Sequence, residues 1–261
     1  MQPQQATAAP SAPVALVTGA ARRLGRAIAL ALARDGWDIA VHYRHSRQEA
    51  EAAVAEIAAL GRRAVALRCE LGDEGAVRQL LARAQEALGP ISCLVNSASQ
   101  FDYDSAADFS PALLHSHMQA NLVAPLLLAQ ALHAATTDGA QSVVINLLDQ
   151  KLYNLNPDYL SYTLSKAALH TATTMLAQAL APKVRVVGVA PGLSLRSGEQ
   201  SEAEFALAHR LTPLGRSSTA ADVADSVCYA ARAGALTGTT LLVDGGQHLV
   251  PTQRDVMFIA K

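Results

Sequence analysis

An alternation constrains this chain more than any single motif. Seven short runs, "PVALVTG", "WDIAVHY", "RRAVALRC", "ISCLVN", "QSVVINLL", "KVRVVGVAP" and "TTLLVDGG", are rich in β-branched and aliphatic residues and mostly continuously apolar. A strand apolar on both faces must be covered on both, as in a parallel sheet sandwiched by helices. Between the runs lie longer Ala/Leu-rich stretches with helical patterning, among them Leu24–Arg34, Gln48–Leu60, Glu74–Leu88 and Leu160–Ala181. Repeated β-α-β units with right-handed crossovers predict a single doubly wound α/β domain with a seven-stranded parallel sheet. Hydrophobic residues make up 51% of the 261, enough for one substantial core, and no Pro/Gly/Ser-rich boundary divides the chain. The domain is expected over residues 13–250. Residues 1–12 form a disordered N-terminal extension in this reading, since they lack both the arginines of a transit peptide and the apolar core of a signal peptide. Residues 251–261 are expected as a tail at a subunit interface or the active site.

Several function classes are disfavoured by composition. Net charge is −1 with no long Lys/Arg run, so neither nucleic acid nor a membrane surface is expected as a partner. No apolar run reaches the ~18 residues of a membrane span. The three cysteines, Cys69, Cys93 and Cys228, are odd in number and form no CxxC pair. That favours free thiols and a cytoplasmic location. No HExxH occurs among the eight histidines, and no metal site is expected.

The first strand runs into Thr18-Gly19-Ala20-Ala21-Arg22-Arg23-Leu24-Gly25. A glycine-bearing turn between strand and helix lets backbone approach a pyrophosphate and aims helix N–H groups at it. An ordinary βα turn would look similar, because only two glycines are present and Arg23 stands where three-glycine loops place the middle one. The second strand ends in His42-Tyr43-Arg44-His45-Ser46-Arg47, where an NAD-selective site carries an acid for the ribose 2′-hydroxyl. Arginines and hydroxyls suit a 2′-phosphate instead, so NADPH/NADP is the expected cofactor. A solvated basic loop is the plainer alternative.

These motifs recur in a familiar order. The TGAARRLG turn, Asn96-Ser97-Ala98-Ser99 after the fourth strand, Asn121 in a helix, Tyr162-x-x-x-Lys166, Pro191-Gly192 and Asp244-Gly245-Gly246 together resemble a short-chain dehydrogenase/reductase over roughly Val14 to Gly246. The resemblance implies a Rossmann-type fold. Three departures point to one branch: Arg23 for the middle glycine, Ser99 for the glycine that usually closes the Asn96 motif, and Asp149 for the serine usual thirteen residues before the tyrosine. With Phe101 and "HYRHS", this combination resembles the pteridine reductases and bacterial dihydromonapterin reductases. Ser97 also departs from the usual second asparagine.

The resemblance assigns roles. Tyr162 would be the proton donor, with Lys166 lowering its pKa and holding the nicotinamide ribose. Asn121 would help hold a water and the helix backbone near Lys166, and Asp149 completes the catalytic set. Gly19, Arg22, Arg23, Leu24 and Gly25 would meet the cofactor pyrophosphate. His42, Tyr43, Arg44, His45 and Ser46 would surround the 2′-phosphate, and Glu70 with Leu71 the adenine. Asn96, Ser97 and Ala98 would line the middle of the cofactor, and Pro191, Gly192 and Ser194 its nicotinamide end. For the substrate, Phe101 would stack on a flat pterin opposite the nicotinamide, while Ser99 and Arg23 would hydrogen-bond the ligand or the cofactor phosphates.

Asp149 is the residue that discriminates among substrates. A ketone oxygen needs only hydrogen-bond donors as charge grows on it, and serine plus tyrosine supply them. Reducing a pterin C=N bond places hydride on carbon and requires a proton on ring nitrogen. A carboxyl group beside the tyrosine can help deliver that proton, and a carboxylate there raises the phenol pKa so that it stays protonated. A turn cap is the plainer role for Asp149. The expected function is reduction of 7,8-dihydropterins such as dihydromonapterin or dihydrobiopterin, with dihydrofolate a further candidate, in folate-type metabolism. The alternatives are a ketone or 3-oxoacyl reductase with an atypical site, and a weakly catalytic NADP-binding interaction protein. Retention of Tyr162 and Lys166 speaks against the last. Family members usually pair through the long helix after the tyrosine, and the small residues of "AALHTATTMLAQALA" favour a homotetramer. Val256-Met257-Phe258-Ile259 would be costly to expose, so the tail is expected at an interface or over the cleft, with Arg254 near a ligand.

Overall fold

A computed structural model describes residues 12–196 and 201–259; nearly all of the N-terminal extension lies outside this range. Seven strands form one parallel sheet: β1 (Val14–Val17), β2 (Asp38–Tyr43), β3 (Ala64–Arg68), β4 (Ile91–Asn96), β5 (Ser142–Leu147), β6 (Val184–Pro191) and β7 (Thr240–Val243). Their spatial order is β3-β2-β1-β4-β5-β6-β7, and every neighbouring pair is parallel. Each of the seven expected runs contains one strand. The order reverses between β1 and β4, and in such sheets the crevice at the strands' carboxyl ends there accepts a ligand.

Strand periodicity builds two cores. Ala15, Val17, Ile39 and Val41 face α1 (Arg23–Arg34), α2 (Arg47–Ala59) and α8 (Ala220–Arg232), meeting Ile28, Leu32, Ile57 and Val227. Val14, Leu16 and Ala40 face the other way, against Leu80 and Leu81 of α3 (Glu74–Leu88) and Leu128 and Leu132 of α5 (Ala124–Ala135). Alternate residues point to opposite faces, so burial on both sides requires the continuous apolar runs seen in the sequence.

The remaining helices are α4 (Pro111–Met118), α6 (Leu160–Ala179), α7 (Glu202–Arg210) and α9 (Val256–Ile259). The expected helix to Ala181 ends two residues earlier, before the segment leading into β6. A π-turn at Gln119–Val123 joins α4 to α5, and a 3₁₀ turn at Gln150–Tyr153 follows β5. Among the described residues no helix is long and apolar enough to cross a membrane, and the three cysteines are free and buried.

Candidate active site

Two adjoining cavities open along the carboxyl edge of the sheet, sharing Arg23, Leu24, Ser97, Ser99 and Phe101. The wider, of about 870 Å³, runs over the β1–α1 turn past Arg44, Glu70 and Leu71. The narrower, of about 430 Å³, is lined by Asp149, Tyr162, Lys166, Pro191, Gly192 and Ser194, among others.

The β1–α1 turn is built for close approach. Gly25 packs so tightly under Gly19 that an added Cβ would lie 2.3 Å from the Gly19 carbonyl oxygen. Arg23 has φ of +52°, a left-handed conformation suited to the glycine whose place it takes; its guanidinium donates to the Arg196 carbonyl at 2.8 Å. Thr18 Oγ1 accepts from the N–H groups of Ser97 and Ala98 at 3.0 Å each, tying the loop after β4 to this turn. Asn96 sits beneath, donating to Asn146 at 2.8 Å.

Of the residues expected at the 2′-phosphate, Arg44 lines the wide cavity and is ion-paired with Glu70 at 2.5 Å, both side chains exposed. Arg22 also lines it, 3.8 Å from Glu49. His42 lines it too, and its ring is also bonded to the chain itself. Its Nδ1 accepts the Gly19 N–H at 2.9 Å, which leaves Nε2 to donate to the Cys69 carbonyl at 3.1 Å. Burial pushes this imidazole down to about 4, so it stays neutral and steadies the glycine turn. Tyr43 is partly buried against the core, and His45 and Ser46 lie off the cavity walls.

The narrow cavity gathers the titratable groups. Tyr162 and Lys166 lie one turn apart on α6, 6% and 3% exposed. Tyr162 Oη donates to Asp149 Oδ2 at 2.7 Å. The other Asp149 oxygen accepts the Lys151 N–H at 2.8 Å, so Asp149 caps the 3₁₀ turn and holds the phenol at once. Lys166 Nζ donates to the Leu147 carbonyl at 2.7 Å. Burial raises the Asp149 carboxyl above the usual carboxylate range, although its two hydrogen bonds pull it back; the charge of Asp255 adds to the rise. Burial, then the Asp149 charge, lifts Tyr162 well above an ordinary phenol. Burial lowers Lys166 to about 8. The pair Asp149–Tyr162 is thus arranged to keep protons.

Asn121 is buried in the π-turn and lies off the walls of both cavities. Its amide donates to Ser165 Oγ (2.9 Å) and the Gln100 carbonyl (3.0 Å), and its oxygen accepts the Gln100 N–H (2.8 Å). It therefore ties the Ser99–Phe101 loop to the helix that carries Tyr162 and Lys166. Ser99 is exposed and lines both cavities. Phe101 stacks on Tyr159 with ring centroids 4.3 Å apart and meets the Tyr162 ring edge-on at 4.6 Å. Ser194 bonds the Gly192 carbonyl at 3.0 Å and Ser218 at 2.5 Å. No group of three or more His, Cys, Asp or Glu side chains among the described residues is placed to hold a metal ion.

The start of α6 depends on a distant residue. Tyr159 at the N-cap has φ of +57° and offers no side-chain cap. Asp104, buried in the loop after β4, accepts the Ser161 N–H at 2.9 Å and also the Ser161 hydroxyl, supplying the missing acceptor.

The tail corrects one expectation and adds wall residues that sequence reasoning missed. Arg254 does not line the cavity: its guanidinium is 2.8–3.0 Å from the Asp158 carboxylate and lies over the Phe258 ring. Asp158 holds it because that buried carboxylate needs a cation. Asp255, Val256 and Met257 line the cavity instead, with Gln150 and Lys151. Position next to Asp149 could have flagged Gln150 and Lys151. No periodicity or spacing connects residue 255 to residue 149.

Comparison with known proteins gives a family and a set of neighbours. The family profile described as enoyl-(acyl carrier protein) reductase matches residues 19–248. The FolM alternative dihydrofolate reductase 1 of Brucella canis, solved in complex with NADP, is 37% identical with a TM-score of 0.86, over 91% of this chain and 95% of that one. A 3-oxoacyl-[acyl-carrier-protein] reductase FabG of Staphylococcus aureus is 30% identical over 90% of this chain and 98% of its own length. An uncharacterized oxidoreductase of Methylorubrum extorquens is 32% identical, covering 89% and 96%.

Proposed function

The chain belongs to the short-chain dehydrogenase/reductase family, and from that premise we propose that it is a reductase of 7,8-dihydropterins, forming tetrahydropterins. It is an NADP-dependent oxidoreductase. The cleft fits that cofactor on its own geometry: a turn closed to any side chain at Gly25, helix N–H groups behind it, and the cations Arg22, Arg23 and Arg44 along its length. Bound there, NADPH supplies the hydride. The protein's own residues supply the proton and the fit.

The observation that carries the pterin reading is the 2.7 Å bond from Tyr162 Oη to Asp149 Oδ2. Burial keeps both groups protonated to higher pH than usual, and the Asp149 charge adds to the rise at Tyr162, as a donor to ring nitrogen requires. Lys166 Nζ lies 5.9 Å from the centre of the Tyr162 ring, and Asn121 sets the loop bearing Ser99 and Phe101 against α6. The 37% identity to a dihydrofolate reductase of the FolM type supports the same substrate class.

Likeness to a 3-oxoacyl reductase at 30% identity favours a second reading, reduction of ketones or 3-oxoacyl thioesters. The two separate in one assay: NADPH oxidation with 7,8-dihydromonapterin, 7,8-dihydrobiopterin, dihydrofolate, a 3-oxoacyl thioester and simple ketones. The pterin reading expects the highest kcat/KM on a dihydropterin; turnover of the thioester alone would replace it. NADPH binding without turnover of any of these would favour a binding protein. We also infer a homotetramer paired through α6, located in the cytoplasm. Light scattering that gives a monomer at micromolar concentration would remove the assembly.

A further inference from the structure

Lys151 and Asp255 have no part in the reading above, yet both face its reacting groups. Lys151 is 2% exposed. Its main-chain N–H donates to Asp149 Oδ1 at 2.8 Å, while its Nζ donates to the Asp158 carbonyl at 2.6 Å and to Asp255 Oδ2 at 3.1 Å. One residue thereby bridges two carboxylates that line the same 430 Å³ cavity.

The segment carrying Asp255 is tied down as a strap. Arg254 grips Asp158, and the Asp255 N–H donates to Asp158 Oδ2 at 2.7 Å. Tyr159 Oη donates to Met257 Sδ at 3.4 Å, and the Phe258 ring packs on Tyr103 and Tyr159 at 5.6 and 6.2 Å. Lys151, Asp158 and Tyr159 all lie in the stretch that connects Asp149 to Tyr162. The strap therefore clamps the segment that sets the geometry of that pair. Merely closing the cavity would require apolar residues such as Val256 and Met257. A carboxylate fixed beside a carboxyl and a phenol acts on their protons through its charge.

We propose that Asp255, held in place by Lys151, is a positioning residue for proton delivery, its negative charge keeping the proton on the Asp149–Tyr162 pair until the substrate takes it. The proposal rests on the role assigned above to Asp149. The charged and titratable groups facing Asp149 are Tyr162 and Lys166 from α6, Lys151 from the 3₁₀ turn and Asp255 from the strap. Lys166 draws the proton off Asp149 and Asp255 opposes it; Lys151 tempers Asp255. Asp158 and Arg254 pair with each other behind Lys151. The upward shifts of Asp149 and Tyr162 each include a contribution from Asp255.

The test compares Asp255→Asn, which keeps the shape and loses the charge, with Asp255→Glu, which keeps the charge. Dihydropterin reduction is followed against pH, and the carboxyl of Asp149 is titrated directly by the infrared carbonyl band that Asp149→Ser removes. In Asp255→Asn, the alkaline fall in kcat and the midpoint of that band should both move to lower pH, by on the order of one pH unit. In Asp255→Glu both should stay near the parent values. A strap with a structural role only would raise KM or lower thermal stability in both variants and leave the titrations unmoved, which overturns the proposal. So would absence of the band from the parent at every pH. If no dihydropterin is turned over, the substrate reading fails while the infrared titration still decides the role of Asp255. Asp255→Ser, smaller and neutral, is read in the same way should Asp255→Asn not fold.

Discussion

Replacing Asp149 by Ser removes a carboxyl whose two oxygens each hold one partner: the Tyr162 phenol at 2.7 Å and the Lys151 N–H at 2.8 Å. A serine hydroxyl is shorter and neutral. It can cap the turn at Lys151, but it supplies no acid and places no charge beside the phenol. Loss of a hydrogen bond between neutral groups amounts to about 0.5–1.5 kcal/mol. Loss of a positioned acid lowers the rate by ~10²–10⁴-fold, or about 3–5 kcal/mol of barrier. The second figure includes the first if proton delivery runs through the pair, so dihydropterin reduction should fall by ~10²–10⁴-fold in kcat. NADPH binding should survive, because Arg44, Lys166 and the Gly19–Gly25 turn are untouched. The variant would carry the serine, tyrosine and lysine that suffice for a ketone, and its ketone activity should hold or rise. Tyr162→Phe should lower the rate on every substrate, which separates a general donor from a pterin-specific one. The assay is NADPH oxidation on both substrate classes, with cofactor affinity measured separately by fluorescence. Parent-level dihydropterin reduction by Asp149→Ser at every pH would refute the reasoning and leave Asp149 as a turn cap.

Three further outcomes are expected. Arg44→Asp should erode the preference for NADPH over NADH by about ten- to a hundredfold in kcat/KM, since a charge-assisted phosphate contact contributes ~1.5–3 kcal/mol and the exposed Arg44–Glu70 pair it must leave is worth at most ~1 kcal/mol; equal kcat/KM for both cofactors in the parent would contradict this. Lys166 is held at about 8, below its usual 10.5, so the folded state disfavours its charge fully below pH 8 and the penalty fades as pH rises toward 10.5. Compared with Lys166→Met by denaturant unfolding without cofactor, the parent should gain up to about 3 kcal/mol between pH 7 and 10.5; a pH-independent difference would contradict the shift. Removing 251–261 takes the cation from buried Asp158 and the packing from Tyr103 and Tyr159. A loss of about 2 kcal/mol or more should lower Tm by roughly 4–8 °C and raise the dihydropterin KM; an unchanged Tm and KM would show that the strap is dispensable.

Much of the architecture was legible because it depends on local pattern. A run such as "VALV" is apolar at every position, and only burial on both faces of a sheet rewards that. The glycine at 25 and the motif order around Tyr162 pointed to the cleft because backbone approach and one-turn helix spacing are properties of neighbouring residues. Asp149 stood out for the same reason, lying at a fixed interval before Tyr162. Tertiary structure alone decided what those residues face. His42 lines the wide cavity, and its ring is held between the Gly19 N–H and the Cys69 carbonyl, partners 23 and 27 residues away. Arg254 read as a ligand contact, yet the Asp158 carboxylate, 96 residues away in sequence, claims it because a buried charge needs a counterion. The start of α6 depends on Asp104 across 57 residues, and Lys151 meets Asp255 across 104. Local pattern carries the period of a strand or helix, but pairings at such separations exist only once the sheet and its loops have closed, and here they hold the loop, the helix start and the tail that surround the site.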